Sequence, residues 1–414
     1  MRFLKVGGTA VGAVLLALTA TPALAQQPPA QQPAVMQLSK GMVGPMNEAR
    51  TAIIAKDWAT AKTKLTGAEG LAKTPQDKLA LERLRIVMAA ETNDYPLQIK
   101  SLEAMIGSGL LTPADTKTYK GALSKAYLDS GDAAKSTLLF RAYIDEYGGT
   151  PEQLIGLAND AAKTGDTTTA VTYANKAIDA VKATGAKPAD AWYRVLMKAH
   201  KQANEMDKYY ATEERAVSDK PSEEGYWREL IARVQTMPGF GAEQKLDMFR
   251  TLSAAGVKLA PNEKRAYATE ALKRGMPNET LQVLEPAFAA GELGSDEADQ
   301  KTVRDAKTAA AEDKAGLAKE TADILAKGAS STIAKIGEAQ LSYGDNAKAV
   351  EVLQKALDKG IADAGEADAA KLHLGIAQFR AGQVDAAKAT WGAITAGIPG
   401  VLARNWVLIA NIKR

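Results

Sequence analysis

The chain has 414 residues, of which 46% are hydrophobic and 6% aromatic, with no cysteine and a formal net charge of +3. The missing cysteine excludes disulfides, thiolate metal sites and a lipid-modified cysteine anchor. The near-neutral balance gives no electrostatic basis for binding DNA or RNA, so no nucleic-acid partner is predicted.

The first residues carry the parts of a secretory signal. Arg2 and Lys5 form a basic start, Val11 to Leu18 an apolar stretch, and Ala23-Leu24-Ala25 places small residues where a signal peptidase cuts. A signal peptide over residues 1–25, cleaved after Ala25, predicts export to the periplasm, with full secretion as the alternative. Cleavage takes Arg2 and Lys5 away and leaves the mature chain near +1. The apolar stretch is short for a bilayer span, and no later run approaches such a length, so no transmembrane segment is predicted in the mature chain. Residues 26–35 are rich in Gln and Pro and read as a flexible tether.

From residue 36 onward the pattern is helical: alanine and leucine dominate the apolar residues, and runs of β-branched residues are few. A turn recurs between paired amphipathic segments at Lys56, Asn93, Gly131, Gly165, Asn204, Gly241, Gly275, Gly344 and Gly382. Successive spacings are 37, 38, 34, 39, 37, 34, 69 and 38 residues, the 69 hiding one degenerate repeat. Gly and Asn reach the left-handed conformation that ends a helix at little cost. In five cases the next residue is an Asp able to cap the following helix: Asp57, Asp94, Asp132, Asp166 and Asp345. Thr74-Pro75-Gln76-Asp77, Thr112-Pro113, Thr150-Pro151 and Pro261-Asn262-Glu263 read as helix starts.

Side-chain size keeps step with the turn. Seven residues before it stand Ala49, Ser124, Ala158, Ala268, Gly337 and Gly375; five after it stand Ala61, Ala170, Ala349 and Ala387. Small residues at both places let two antiparallel helices approach closely. Nine after the turn stand large side chains, among them Leu65, Phe140, Leu353 and Trp391, which fill the space between neighbouring pairs.

This pattern resembles the tetratricopeptide repeat, a helix-turn-helix of 34 residues. In Ile333–Ile361, Ile336-Gly337 stands at the repeat's Leu-Gly pair and Gly344-Asp345 at its turn, with Ala349, Leu353 and Ala356 at its Ala, Phe and Ala positions. Leu374-Gly375, Gly382, Ala387 and Trp391 repeat the match. Gln340 and Gln378 replace the usual Tyr, and a closing Pro is seen only as Pro221. The resemblance implies an all-α, right-handed α-solenoid: N-terminal repeats over 36–220, degenerate repeats over 221–330, C-terminal repeats over 331–397 and a capping helix over 398–414. Ser295 to Lys327 reads as two helices broken near Ala310. The five tryptophans, Trp58, Trp192, Trp227, Trp391 and Trp406, read as packing residues.

The resemblance also implies that first helices line a concave groove. Places 2, 3, 6 and 10 before the turn then give Lys125, Asn159, Lys163, Arg194, Lys198, Lys201, Arg265, Lys273 and Arg380 as partner-facing, with Asp129 and Glu338 as acidic exceptions. Some tetratricopeptide domains grip carboxylates with Lys, Arg and Asn on first helices, so a protein or peptide partner with an acidic segment or a C-terminal carboxylate is expected.

Catalytic patterns are missing. His200 and His373 lie far apart in sequence and read as surface or groove residues, so no metal site is predicted. Glu213-Glu214 and Glu223-Glu224 read as solvated faces or first-turn charge. No nucleophile, phosphate-loop or dinucleotide motif stands in a strand–helix setting. The predicted function is a binding scaffold with no catalytic residue and no cofactor. Self-association as an envelope assembly factor is the alternative, and an α-superhelical enzyme acting on cell-wall glycan is more remote.

Overall fold

The structure, a computed structural model, describes residues 37–413. The signal peptide and the tether lie outside the described residues. Those described form α-helices joined by short turns, with no strand among them, and none of these helices is long and apolar enough to cross a membrane. The chain divides after Ala186 into two compact units.

The N-terminal unit is four helical hairpins: α1 (Lys40–Ile54) with α2 (Trp58–Glu69), α3 (Pro75–Thr92) with α4 (Tyr95–Gly107), α5 (Pro113–Asp129) with α6 (Ala133–Tyr147), and α7 (Pro151–Thr164) with α8 (Thr167–Ala183). The C-terminal unit continues with α9 (Asp190–Gln202) and α10 (Met206–Asp219), then α11 (Glu224–Ala232), a 3-10 turn over Arg233–Thr236 and α12 (Ala242–Ala255). There follow α13 (Pro261–Lys273), α14 (Pro277–Ala289), α15 (Glu297–Lys327), α16 (Ser330–Ser342), α17 (Asn346–Asp358), α18 (Ala364–Arg380), α19 (Val384–Gly392) and α20 (Gly397–Ile412).

The turns form as their chemistry requires. Lys56, Asn93, Gly131, Gly165, Asn204, Gly275, Gly344 and Gly382 all have positive φ. Each of the five Asp carboxylates accepts the backbone N–H three residues on, from Thr60, Leu97, Lys135, Thr169 and Lys348. Thr74 and Thr150 cap α3 and α7, with Asp77 and Gln153 bonding back to the cap N–H. Gly241 departs from the rule. Its φ is −141°, because the 3-10 turn carries the chain toward α12 and Gly239 takes the positive φ instead.

The size pattern is realised in the packing. Ala49 and Ala61, Ala158 and Ala170, and Ala349 are fully buried. Where the partners are serines, the Ser124 hydroxyl donates to the Ser136 carbonyl and the Ser136 hydroxyl to the Ser124 carbonyl. At Gly375 a Cβ would lie 2.2 Å from Trp391 Nε1, and at Gly337 it would lie 2.6 Å from Leu353 Cγ. Trp391 stacks on Trp406 of α20 at 5.6 Å. Trp227, Trp391 and Trp406 are buried, as packing residues should be, whereas Trp58 and Trp192 are half-buried.

Two features of the C-terminal unit differ from the sequence reading. The segment read as two helices with a break near Ala310 is the single 31-residue helix α15. Ala, Lys and Glu propagate a helix, no proline stands inside it, and Gly316 keeps the helical conformation without stopping it. The C-terminal helix α20 packs on α18 and α19 and also on α10, α11 and α12. Its buried Leu402, Asn405, Trp406 and Ile409 therefore belong to the core of this unit.

Candidate functional site

The partner-facing residues expected from the sequence lie on several helices. Lys125 on α5 and Asn159 and Lys163 on α7 belong to the N-terminal unit, the other six to the C-terminal unit. Lys125 and Asn159 are half-buried and the others are exposed. Their charge is partly answered by the chain itself. Lys125 pairs with Asp129, Lys163 with Asp160 at 3.0 Å, and Arg265 forks onto Asp299 at 2.8 and 2.9 Å. Arg194 lies over the ring of Tyr226 at 5.8 Å. Lys198, Lys201 and Lys273 make no such bond among the described residues, and their exposed stems hold their ammonium groups in water.

The strongest polar constellation is elsewhere, inside the C-terminal unit. Arg250 of α12 is buried at its centre. Its Nε and Nη2 donate to the two oxygens of Glu279 on α14, at 2.8 and 2.6 Å. Its Nη1 donates to Asp247 at 3.0 Å and to Glu338 of α16 at 2.8 Å. His373 of α18 meets Asp247 through Nε2 at 2.9 Å and lies 3.9 Å from Glu338. The Tyr267 hydroxyl of α13 donates to Glu279 at 2.7 Å, and Arg274 approaches Glu338 at 3.6 Å. Five helices thus meet in one ionic cluster, tying residues as much as 126 positions apart.

Each charge depends on its neighbours. Burial opposes ionisation of Asp247, but His373 and Arg250 outweigh it and hold the carboxyl down to about 2. Burial likewise resists the charged imidazole, and the carboxylates of Asp247 and Glu338 overcome it, raising His373 above its ordinary value. Glu279 and Glu338 are held below the usual carboxylate range against the same burial, Glu279 by Arg250 and Glu338 by His373 and Arg250. These environments correct two sequence readings. His373 is neither a surface nor a groove residue, and Glu338 does not face a partner; each is about 4% exposed. His200 is buried too, with Nδ1 2.9 Å from Glu205.

Asp247, Glu338 and His373 offer ligand atoms within 4.8 Å of one another, a donor set suited to a divalent cation. Arg250 already stands in that position. Its Nη1 lies within 3.5 Å of all three, and a metal there would face a guanidinium at contact distance. Surface cavities of about 280 Å³ beside Phe249 and about 360 Å³ beside Trp391 are lined by other residues. The arrangement is suited to holding helices together.

Glu213 on α10 is a further correction. It was read as solvated, yet it is fully buried, and burial with the nearby charge of Glu229 pushes its carboxyl up to about 8. Glu214 is half-buried, and Glu223 and Glu224 are exposed.

Sequence reasoning missed Asp247, Arg250 and Glu279. Only a partial signal was present. Asp247 and Arg250 stand at i, i+3 on α12, a spacing at which an acid and a base can pair. Met248, Phe249 and Leu252 fall on the opposite arc of the helix, so the pair reads as a solvated face until other helices cover it. His373 stands between Leu372 and Leu374 in a largely apolar run.

No family profile and no curated protein sequence matches the chain. Among solved structures it is similar to a tetratricopeptide repeat protein from Parabacteroides merdae, at 10% identity and a TM-score of 0.29, over 81% of this chain and 100% of that one. It is also similar to the APC/C hetero-tetramer Cut9–Hcn1, at 11% identity and a TM-score of 0.22, over 84% of this chain and 73% of that one. Likenesses this distant add nothing to the fold, which rests on the hairpins themselves.

Proposed function

We propose that the chain is an exported, non-catalytic scaffold that binds a protein or peptide partner through the exposed faces of its helical hairpins. The observation that carries this reading is the repetition. Within the N-terminal unit successive hairpins place polar side chains at one equivalent position, six residues before the turn, as Lys125 on α5 and Asn159 on α7, and in the C-terminal unit α9 places Lys198 there. A surface repeated at regular steps suits an extended ligand better than a compact substrate. The cationic character of Arg194, Lys198 and Lys201 on α9 favours an acidic segment or a C-terminal carboxylate. The signal-like N-terminus supports a site of action outside the cytoplasm, in the periplasm.

Cross-linking in intact cells followed by mass spectrometry names the partner. A variant carrying Lys163→Glu, Arg194→Glu and Lys198→Glu then tests the surface. Recovery of that partner should fall at least tenfold while the circular dichroism spectrum is unchanged. Equal recovery by the variant removes these residues from the interface. A protein that localises to the cytoplasm removes the export reading.

A further inference from the structure

We propose that the Asp247–Arg250–Glu338–His373 cluster is a proton-operated latch: a charged His373 clamps α12 to α16 and α18, and loss of that proton loosens the C-terminal unit along this seam. Geometry carries the inference. Asp247 and Arg250 come from α12, Glu338 from α16 and His373 from α18, so one buried knot joins helices that the chain reaches some 90 to 126 residues apart. All four side chains are between 3% and 6% exposed. A charge imbalance here has no water to screen it.

The balance of charge turns on one proton. The carboxylates are Asp247, Glu279 and Glu338, with Glu243 bonded to Arg274 at 3.1 Å. The guanidinium groups are Arg250, Arg274 and Arg380, the last acting on Glu279 from the far end of α18. Glu243 and Arg380 reach solvent; among the enclosed groups three anions face two permanent cations, and only a charged imidazole makes the count even. The Tyr267 hydroxyl, from α13, enters as a neutral donor. The other helices packed on α18 are α17, α19 and α20, and their Glu351, Asp385 and Arg404 are exposed. Histidine is the group whose ordinary titration falls in the physiological range.

The sign follows by linkage. A histidine whose folded pKa lies above its ordinary 6.5 lends stability that is fully present below that value and is lost as pH rises through the folded pKa. Within that window the opening equilibrium should grow about tenfold per pH unit. The three carboxylates act the other way, far lower on the scale. Asp247 lends stability above 3.8 that is lost only as pH falls toward about 2. Glu213 is a confounder of the same sign as His373. Held neutral up to about 8, it also weakens the fold as pH climbs from 4.5. Glu213→Gln removes that contribution while keeping the shape of the neutral acid.

The test uses the full mature chain in the Glu213→Gln background. Imidazole resonances of the two histidines are followed by NMR, with His373→Gln assigning them, and amide hydrogen exchange is measured from pH 5.5 to 9 after correction for intrinsic rates. His373 is expected to titrate above 6.5, and exchange in α12, α16 and α18 to accelerate about tenfold per pH unit across that titration, with the acceleration abolished in His373→Gln. Titration at or below 6.5, or the same acceleration without His373, overturns the latch. Should His373→Gln fail to fold, Glu338→Gln serves instead. It deletes one anion, so a neutral imidazole leaves the knot balanced and the pH response should flatten. A response as steep as in the parent overturns the proposal equally.

Discussion

In the N-terminal unit the polar contacts between helices stay short in sequence: Arg85 reaches back to Glu69, Tyr127 to Glu103, Tyr173 to Asp145, and Ser39 forward to Asp77 over 38 residues. In the C-terminal unit Arg250 bonds Glu338 across 88 residues and His373 bonds Asp247 across 126. Both units use the same hairpin. The first has the nearest-neighbour energetics of a repeat array, where each hairpin is stabilised by the next. The second adds contacts that skip several hairpins, and α20 packs against helices from both ends of the unit. Local damage should therefore stay local in one unit and spread in the other.

The most direct way to break that contrast is Arg250→Met. It keeps the volume but leaves Asp247, Glu279 and Glu338 without their shared cation. Removing one partner of a buried ion cluster costs about 3–5 kcal/mol. The transition of the C-terminal unit in urea should move by that amount while the N-terminal transition stays in place. Unit-resolved hydrogen exchange reads both. A uniform shift across both units would show that they unfold together and that the contrast is not energetic.

Gly375→Ala tests packing in place of charge. The new Cβ would stand 2.2 Å from Trp391 Nε1, which now donates to the Leu372 carbonyl at 3.2 Å. Trp391 cannot yield easily, being stacked on Trp406 and flanked by Phe379. Overpacking of this kind costs about 1–3 kcal/mol, more than the helix propensity gained from Gly to Ala, about 1 kcal/mol. A lowered melting temperature for the C-terminal unit is expected. Gly337→Ala should be destabilising as well, since its Cβ would meet Leu353 Cγ at 2.6 Å and the Leu353 backbone N at 3.2 Å.

These sites also mark what the sequence made legible. The hairpins were readable because their determinants are local. Lys56, Asn93, Asn204 and five glycines reach positive φ, and five Asp residues cap the helices that follow them, all within three residues of the turn. Gly337 and Gly375 were readable because size recurs in step with the turn. The cluster was not, because nothing local brings Asp247 to His373. That meeting depends on how α12, α16 and α18 stack, including the passage of α15 as one uninterrupted helix. Buried Glu213 escaped for the same reason. A glutamate on an amphipathic helix looks solvated until another helix covers it.

In the N-terminal unit the corresponding test is a cap. Thr150 Oγ1 accepts the Gln153 N–H at the start of α7, while Gln153 Oε1 answers the Thr150 N–H at 2.9 Å. Thr150→Ala deletes the first bond and should cost about 1 kcal/mol. The loss should appear as faster hydrogen exchange in the first turn of α7 and fade along the unit, leaving α1 and α2 unchanged. Exchange rising equally in all eight helices would mean that this unit, too, is globally cooperative.

The smallest effect has the opposite sign. Gly316 lies within α15, where an added Cβ meets nothing within 4 Å. Its neighbours Lys314, Ala315 and Ala318 are exposed or half-exposed, so packing has no say at this position. Glycine there costs backbone entropy without any space to justify it, and Gly316→Ala should stabilise α15 by about 0.5–1 kcal/mol. Because α15 takes the place of a hairpin between α14 and α16, the gain should be felt on both sides of it if the C-terminal unit is cooperative. It would then appear as slower exchange at α14 and α16 as well as in α15. Slower exchange confined to α15 would show that the stability of this helix is not shared with its neighbours.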